Sequence, residues 1–250
     1  MNLNLSTIKY TQKLPFCAND REVLNSENKV VHRNSTKFFR DDIIWDDFSL
    51  FLDENFKDSK KVNSYCIACS DGSEPYSLAI ALKTNLKNAD KFFPINASDY
   101  DEYIVNEAKN GVYTTTYDER NAIRRFTRDN KHKYFDCDGP DIIKPKDSIK
   151  KEVNFTINDA LSEIDNIPYG DNLIMCRNFW PYLSSDDKNK LIEKLKEKMN
   201  HNSLLVIGSF DQGGIMLDRL LGVSGFENVE YTRNDRGSEM VHYNVWKKHS

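Results

Sequence analysis

The chain has 250 residues, 35 basic and 39 acidic side chains and a formal net charge of −4. That length suits one α/β domain with embellishments, and without a long basic run neither a broad phosphate-tracking surface nor a nucleic-acid partner is expected. No apolar segment reaches the roughly 20 residues needed to cross a bilayer, and Met1–Ser6 lacks the basic-then-hydrophobic order of a leader, so a cytoplasmic protein without membrane insertion is expected.

Residues 1–33 are polar and irregular, which predicts an arm or short helix packed on the body. From Thr36 to Phe56 the residues Phe38, Phe39, Ile43, Ile44, Phe48, Phe51 and Leu52 recur at helical intervals, predicting a helix or a pair of helices. Strands are predicted over Val62–Ser70, Phe92–Asp99, Val153–Asn158, Leu173–Asn178 and Ser203–Phe210, and helices over Glu74–Leu86, Glu102–Lys109 and Ser184–Met199. The last helix carries Leu191, Ile192, Leu195 and Met199 as one stripe and is structural. Between Gly111 and Val153 the alternation breaks. Tyr113–Phe126 reads as partly helical, anchored by Ile123 and Phe126, while Tyr134–Lys150 is charged and punctuated by Gly139, Pro140 and Pro145. About 40 residues is long for a crossover, so a small subdomain is expected at about 113–151, covering the ligand or meeting a partner.

A helix over Ile215–Leu221 is stopped by Gly222 and Gly225, and the β-rich runs Glu227–Thr232 and Met240–Lys248 flank the turn formers Arg233–Ser238. The fold expected is therefore α/β and Rossmann-like: a mostly parallel twisted sheet ending in an antiparallel hairpin. This arrangement is associated with class I methyltransferases that use S-adenosylmethionine rather than with dehydrogenases. The expected domain runs over 34–250, behind the arm at 1–33.

The five cysteines, Cys17, Cys66, Cys69, Cys137 and Cys176, are odd in number and mostly in apolar strand contexts, against a disulfide framework. Cys66 and Cys69 form a C-x-x-C, but no second pair accompanies them and the histidines are scattered, so no metal is expected. The same stretch, Cys66–Ser77, runs from an apolar strand through a small-residue turn into a helix. There Gly72 lets backbone approach a ligand, Pro75 suits the first helical turn, and the helix directs free amide groups into the crevice. No G-x-G-x-x-G is present, so a dinucleotide pyrophosphate is not the natural ligand. Standing alone, the segment would also suit an ordinary βα turn. The second strand, however, ends in Asp99, 27 residues after Gly72, where a nucleotide-binding α/β protein places an acid for both ribose hydroxyls. Its rival role is to cap the helix at 101–109, which Asp101 could do instead.

Five segments occur in an order that resembles the chemotaxis-receptor methyltransferase (CheR) family: Asn34–Asp41, Ala68–Ser77, Ala97–Asp99, Ala108–Tyr113 and Cys176–Leu183, with the Glu-Pro-Tyr-Ser and Cys-Arg-Asn cores intact. The resemblance implies methyl transfer from S-adenosylmethionine to a glutamate of an acidic protein segment such as a chemoreceptor's, leaving S-adenosylhomocysteine. By position, Asn34, Thr36 and Arg40 would line the cofactor and methyl-transfer site, with Ala68 and Gly72 in the turn. Glu74 would hold the methionine end and Asp99 the ribose. Asp159 and Ala160 would lie near the adenine, and Asn178 and Tyr182 would face the sulfonium. Arg40 and Tyr182 are the expected catalytic pair. Rival structural roles are a solvated helix face for Arg40 and Asp41 and a core aromatic for Tyr182; Phe38 and Phe39 read as packing. The chain departs from the family at Ser73, where an acid is common, at Asp159, where an amide is usual, and at Gly208–Asp211, where a Ser-Glu ending is familiar; its N-terminus is also short for the family's helical domain. Other readings are a methyltransferase with a different protein or small-molecule acceptor, and a silent cofactor-binding interaction module.

Overall fold

The computed structural model describes residues 9–10, 21–24, 30–34, 36–40, 43–208, 211, 216–229 and 244–249. Where an irregular arm or short helix is expected, three short strands appear: β1 (Lys9–Tyr10), β2 (Arg21–Leu24) and β3 (Val30–Asn34), antiparallel in that order. Runs of two to five residues are defined by their pairing partners, a signal that local periodicity does not carry. The helix expected over 36–56 shortens to α1 (Trp45–Asn55). Ahead of it Phe38 and Phe39 sit in a buried turn, with Phe39 in the left-handed region at φ 49° and its N–H donated to Ser77 Oγ (2.9 Å).

The remaining elements follow the predicted alternation: β4 (Asn63–Ile67), α2 (Ser73–Asn85), β5 (Ile95–Asp99) and α3 (Glu102–Asn110). Next come β6 (Tyr113–Thr114), α4 (Tyr117–Thr127), β7 (Phe135–Asp138), β8 (Ile142–Pro145) and α5 (Asp147–Lys150). The chain returns through β9 (Val153–Ile157), α6 (Ala160–Asn166), β10 (Asn172–Cys176), α7 (Ser185–Lys198) and β11 (Leu204–Ile207). It ends with α8 (Met216–Val223), β12 (Phe226–Asn228) and β13 (Val245–Lys248). The predicted turn at Arg233–Ser238 lies outside the described residues.

Seven strands form one sheet in the order β12-β13-β11-β10-β4-β5-β9, while β6, β8 and β7 form a small antiparallel sheet of their own. β9, β5, β4, β10 and β11 are parallel, and β13 and β12 are antiparallel, as the expected hairpin requires. Both faces are covered. Leu173, Met175, Leu204 and Val206 join the core with α1 and α2, whereas Ile174, Cys176, Leu205 and Ile207 point the other way toward α6, α7 and α8. This period-2 split explains why the strands read as continuous apolar runs. The direction of strand addition reverses between β4 and β10, and that switch point opens a crevice at the carboxyl ends of the strands.

Candidate functional site

The turn after β4 alternates into left-handed backbone at Ala68 (φ 57°), Ser70 (φ 52°) and Gly72 (φ 84°). A Cβ on Gly72 would lie 2.8 Å from Phe155 and 3.0 Å from Ala108, so the glycine that the sequence assigns to ligand approach is required by packing against β9 and α3. Asp71 closes an Asx turn across it: the Ser73 N–H (2.9 Å) and hydroxyl (2.7 Å) both donate to Asp71 Oδ1. Ser73 is fully buried. A carboxylate in its place would face that of Asp71, so the departure at Ser73 goes with an acid two positions earlier. Tyr113, at the start of the inserted segment, donates its hydroxyl to the Asp71 carbonyl (2.7 Å) and ties the insertion to this turn.

Burial pushes the Asp71 carboxyl up to about 7 against the two Ser73 hydrogen bonds, with Glu119 and Glu107 adding to the rise. The folded chain thus holds this proton more tightly than the unfolded one. The resulting stability is fully present below about pH 4 and is lost as pH rises through about 7. Lowering the pH from about 8 to about 6 should raise the melting temperature, and Asp71→Asn should flatten that rise. A variant that kept the wild-type slope would remove Asp71 as its source.

Asp99 ends β5 in a buried position, and each oxygen accepts one backbone N–H, Oδ2 from Ser70 (2.9 Å) and Oδ1 from Asp101 (3.1 Å). Burial raises its carboxyl to about 6, against these two hydrogen bonds. The helix-cap role belongs to Asp101, which accepts from the N–H groups of Tyr103 and Ile104 at the start of α3. Each Asp99 oxygen retains a further lone pair. The Asn158 N–H donates to the Asp99 carbonyl (3.0 Å), which sets Asp159 and Ala160 beside it. Asp159 is committed to capping α6, accepting the Ser162 N–H (3.0 Å) and hydroxyl (2.6 Å). Burial works upward on its carboxyl but is outweighed by these bonds, which hold it below the usual range.

On the other side of the switch point, the Arg177 guanidinium after β10 forms a buried ion pair with Glu74 in the first turn of α2. Next to it, left-handed Asn178 (φ 62°) accepts a hydrogen bond from Arg40 Nη1 at 3.1 Å, joining segments 138 residues apart. The Asn178 Nδ2 is buried with no hydrogen-bond partner among the described residues. Asp211 organises this loop: its Oδ2 accepts from the N–H groups of Asn178 (2.6 Å) and Gly208 (2.8 Å), and its Oδ1 from Trp180 (3.2 Å). Burial raises its carboxyl to about 6 against those bonds. A Cβ on Gly208 would fall 2.4 Å from Asn178 Nδ2, so only glycine lets the amide lie there. Tyr182, in a 3-10 turn at Trp180–Tyr182, is 44% exposed, and Thr36 is half-buried. Asn34 ends β3.

Of the residues singled out from sequence, Ala68, Gly72, Glu74, Asp99 and Asn178 thus gather at the carboxyl ends of β4, β5 and β10, and Arg40 joins them from the segment before α1 through its bond to Asn178. Arg177 and Asp71 were not among the expected site residues, and Gly208 and Asp211 stood out only as a departure from the family pattern. Arg177 lay in plain view inside the Cys-Arg-Asn core, and Asp71 in the Asp-Gly-Ser turn; Asp211 and Gly208 act through contacts that no local pattern signals. The Cys66, Cys69 and Cys176 thiols are free, buried and pushed well up by burial, and among the described residues no group of three or more His, Cys, Asp or Glu could hold a metal.

The family model for the CheR methyltransferase, SAM binding domain, matches residues 34–214. A chemotaxis protein methyltransferase of Listeria monocytogenes is 28% identical over 196 residues, spanning 77% of this chain and 71% of that protein. One of Borreliella burgdorferi is 26% identical over 209 residues, spanning 80% of this chain and 69% of that protein. Among solved structures, a TehB-like SAM-dependent methyltransferase from Corynebacterium glutamicum aligns with a TM-score of 0.42 at 11% identity, over 79% of this chain and 86% of that one.

Proposed function

The chain belongs to the CheR methyltransferase family and carries its S-adenosylmethionine-binding domain, and from that premise we propose that it methylates a glutamate carboxylate of a protein such as a chemoreceptor, in the cytoplasm, giving a methyl ester. The observation that carries this reading is the meeting of Arg40 with Asn178 at 3.1 Å beside the Glu74–Arg177 pair. An arginine fork there suits an acceptor carboxylate. We take residues 34–250 as the catalytic unit, with the subdomain at about 113–151 inserted into it and 1–33 as an arm.

The residues fit the cofactor. Asp99 has acceptor capacity left on both oxygens for ribose hydroxyls, and the buried Asn178 Nδ2 and Ser70 Oγ lack partners among the described residues. Glu74, held by Arg177, suits the ammonium of the methionine end, while Ala68 and Gly72 shape the turn beneath it. Thr36 and Asn34 would line the same wall, and Asp159 and Ala160 the adenine side. When bound, S-adenosylmethionine supplies a methyl group on an electrophilic sulfonium.

The protein has little acid–base work to do, because a glutamate is already ionised near neutral pH. Arg40 holds the acceptor carboxylate through paired hydrogen bonds and aims one oxygen at the methyl group. Asn178 fixes Arg40, and Asp211 fixes Asn178. Tyr182 at the mouth orients the acceptor through its hydroxyl, and closure of the site by the acceptor removes water, so alignment and desolvation supply the rate. With labelled S-adenosylmethionine and a receptor cytoplasmic fragment, label should enter the fragment and leave it in mild alkali. Label that survived alkali would exclude a carboxyl ester, and failure to bind S-adenosylhomocysteine by calorimetry would overturn the enzymatic reading itself.

A further inference from the structure

Among the described residues six that are not glycine hold left-handed backbone, and Phe39 is the one aromatic in that group. A bulky side chain stays in this conformation only where its surroundings impose it. Phe39 is also the residue before Arg40, whose Nη1 donates to Asn178 at 3.1 Å. Whatever holds Phe39 therefore also aims Arg40.

Three neighbours hold it. The Phe39 ring stacks on Phe126 of α4, with centroids 4.4 Å apart, and meets Trp45 of α1 edge-on at 6.0 Å. Trp45 in turn donates its Nε1–H to the Arg40 carbonyl (3.3 Å), which the Ile43 N–H also reaches. The third neighbour is polar and lies on α2. The fully buried Ser77 hydroxyl accepts the Phe39 N–H (2.9 Å) and donates its own proton to the Ser73 carbonyl (2.7 Å). Rings can slide over one another, whereas a hydrogen bond needs its donor aimed, so Ser77 is the contact that fixes the direction of the turn.

We propose that Ser77 is a positioning residue for methyl transfer: its one hydroxyl locks the left-handed turn that aims Arg40 and ties it to the turn that binds the cofactor. The proposal rests on the reading that Arg40 holds the acceptor carboxylate. Ser73 continues the chain, since its N–H and hydroxyl both donate to Asp71. The arginine side and the cofactor side of the site thus share one run of hydrogen bonds. Transfer in line requires oxygen, methyl and sulfur to be held closely in register, and a small misplacement costs rate. With alanine at position 77 the buried Phe39 N–H would lose its acceptor, a cost that the turn can escape by relaxing and carrying Arg40 away from Asn178. The ring contacts on Phe39 would remain to hold the core together.

Ser77→Ala should therefore lower the rate of methyl transfer to a receptor cytoplasmic fragment, at saturating S-adenosylmethionine, by at least about tenfold. Ser77→Thr keeps a hydroxyl that can bond both partners and should restore the rate to within about threefold of wild type. Lysine offers a point charge with no fork to aim, so in an Arg40→Lys background Ser77→Ala should cost less than about twofold. A hydroxyl that only supported α2 would cost the same factor in both backgrounds. The ligand-free protein, carrying isotope-labelled tryptophan, gives a reading independent of activity. Its Trp45 indole resonance, assigned by its loss in Trp45→Phe, should shift in Ser77→Ala as the Arg40 carbonyl moves, while those of Trp180 and Trp246 stay in place. The proposal fails if Ser77→Ala transfers methyl at the wild-type rate, if Ser77→Thr behaves like Ser77→Ala, if the loss is equal in the Arg40→Lys background, or if the Trp45 resonance does not move. If the wild type methylates no glutamate, the reading of the acceptor fails, and the Trp45 resonance alone decides whether Ser77 aims Arg40.

Discussion

Replacing Arg177 with alanine is expected to lower folding stability by about 3–5 kcal/mol, since it would strand the Glu74 carboxylate in a site built around its partner. The guanidinium side chain is 1% exposed and the Glu74 side chain 15%, so water cannot replace the lost ion pair without opening the structure. The pair spans the switch point. It ties the first turn of α2 to the loop after β10, and the position of Glu74 at a helix N-terminus suits its negative charge. For a chain of this size each kcal/mol moves the melting temperature by about 2–4 °C, so a fall of roughly 10 °C is expected. The double substitution Glu74→Met/Arg177→Met should recover much of that loss, because replacing both ions with apolar groups removes the stranded charge. Cofactor binding should be lost in the double variant if Glu74 holds the methionine end. An Arg177→Ala protein melting within about 2 °C of wild type would show that the pair carries less than about 1 kcal/mol.

The parallel sheet was legible because its strands are buried on both faces: Leu204–Ile207 reads as an unbroken apolar run, with alternate residues supplying the two cores. The turn before α2 was legible for a similar reason, since Gly72 and Pro75 announce a left-handed residue and a helix start. What sequence could not supply was contact between distant segments. β1, β2 and β3 are too short to show alternation, and Phe39, with helical spacing to Ile43, instead adopts left-handed backbone anchored on Ser77. Asp211 follows Asn178 by 33 residues, and its role exists only because β11 lies beside β10. The insertion was half legible. Its helix showed through Ile123 and Phe126, but β7 and β8 lie within a charged, proline-broken stretch. Ser73 departs from the family pattern, and only the folded turn shows it as one half of a hydrogen-bonded pair with Asp71.

The Asp99→Ala substitution is expected to weaken S-adenosylhomocysteine binding by more than about tenfold, because a buried hydroxyl left unpaired typically costs on the order of 1–3 kcal/mol. The same change also strands the N–H groups of Ser70 and Asp101, so affinity alone does not separate a ribose contact from a loosened turn. The 2′-deoxyadenosyl analogue of the ligand separates them. If Asp99 bonds the ribose, the wild type should prefer the hydroxylated ligand and the variant should lose that preference, whereas a loosened turn would weaken both ligands equally. An unchanged preference in the variant would remove Asp99 from the ribose site. The pH dependence gives a second reading. Burial raises the free carboxyl to about 6, and two donated hydroxyl hydrogen bonds favour the ionised form and pull it back down. Binding should therefore release a proton below about pH 6, with affinity falling as the solution is acidified through that range and level above about pH 7. Calorimetry in buffers of different ionisation enthalpy counts that proton, and wild-type binding at about pH 5.5 without proton release would contradict the assignment.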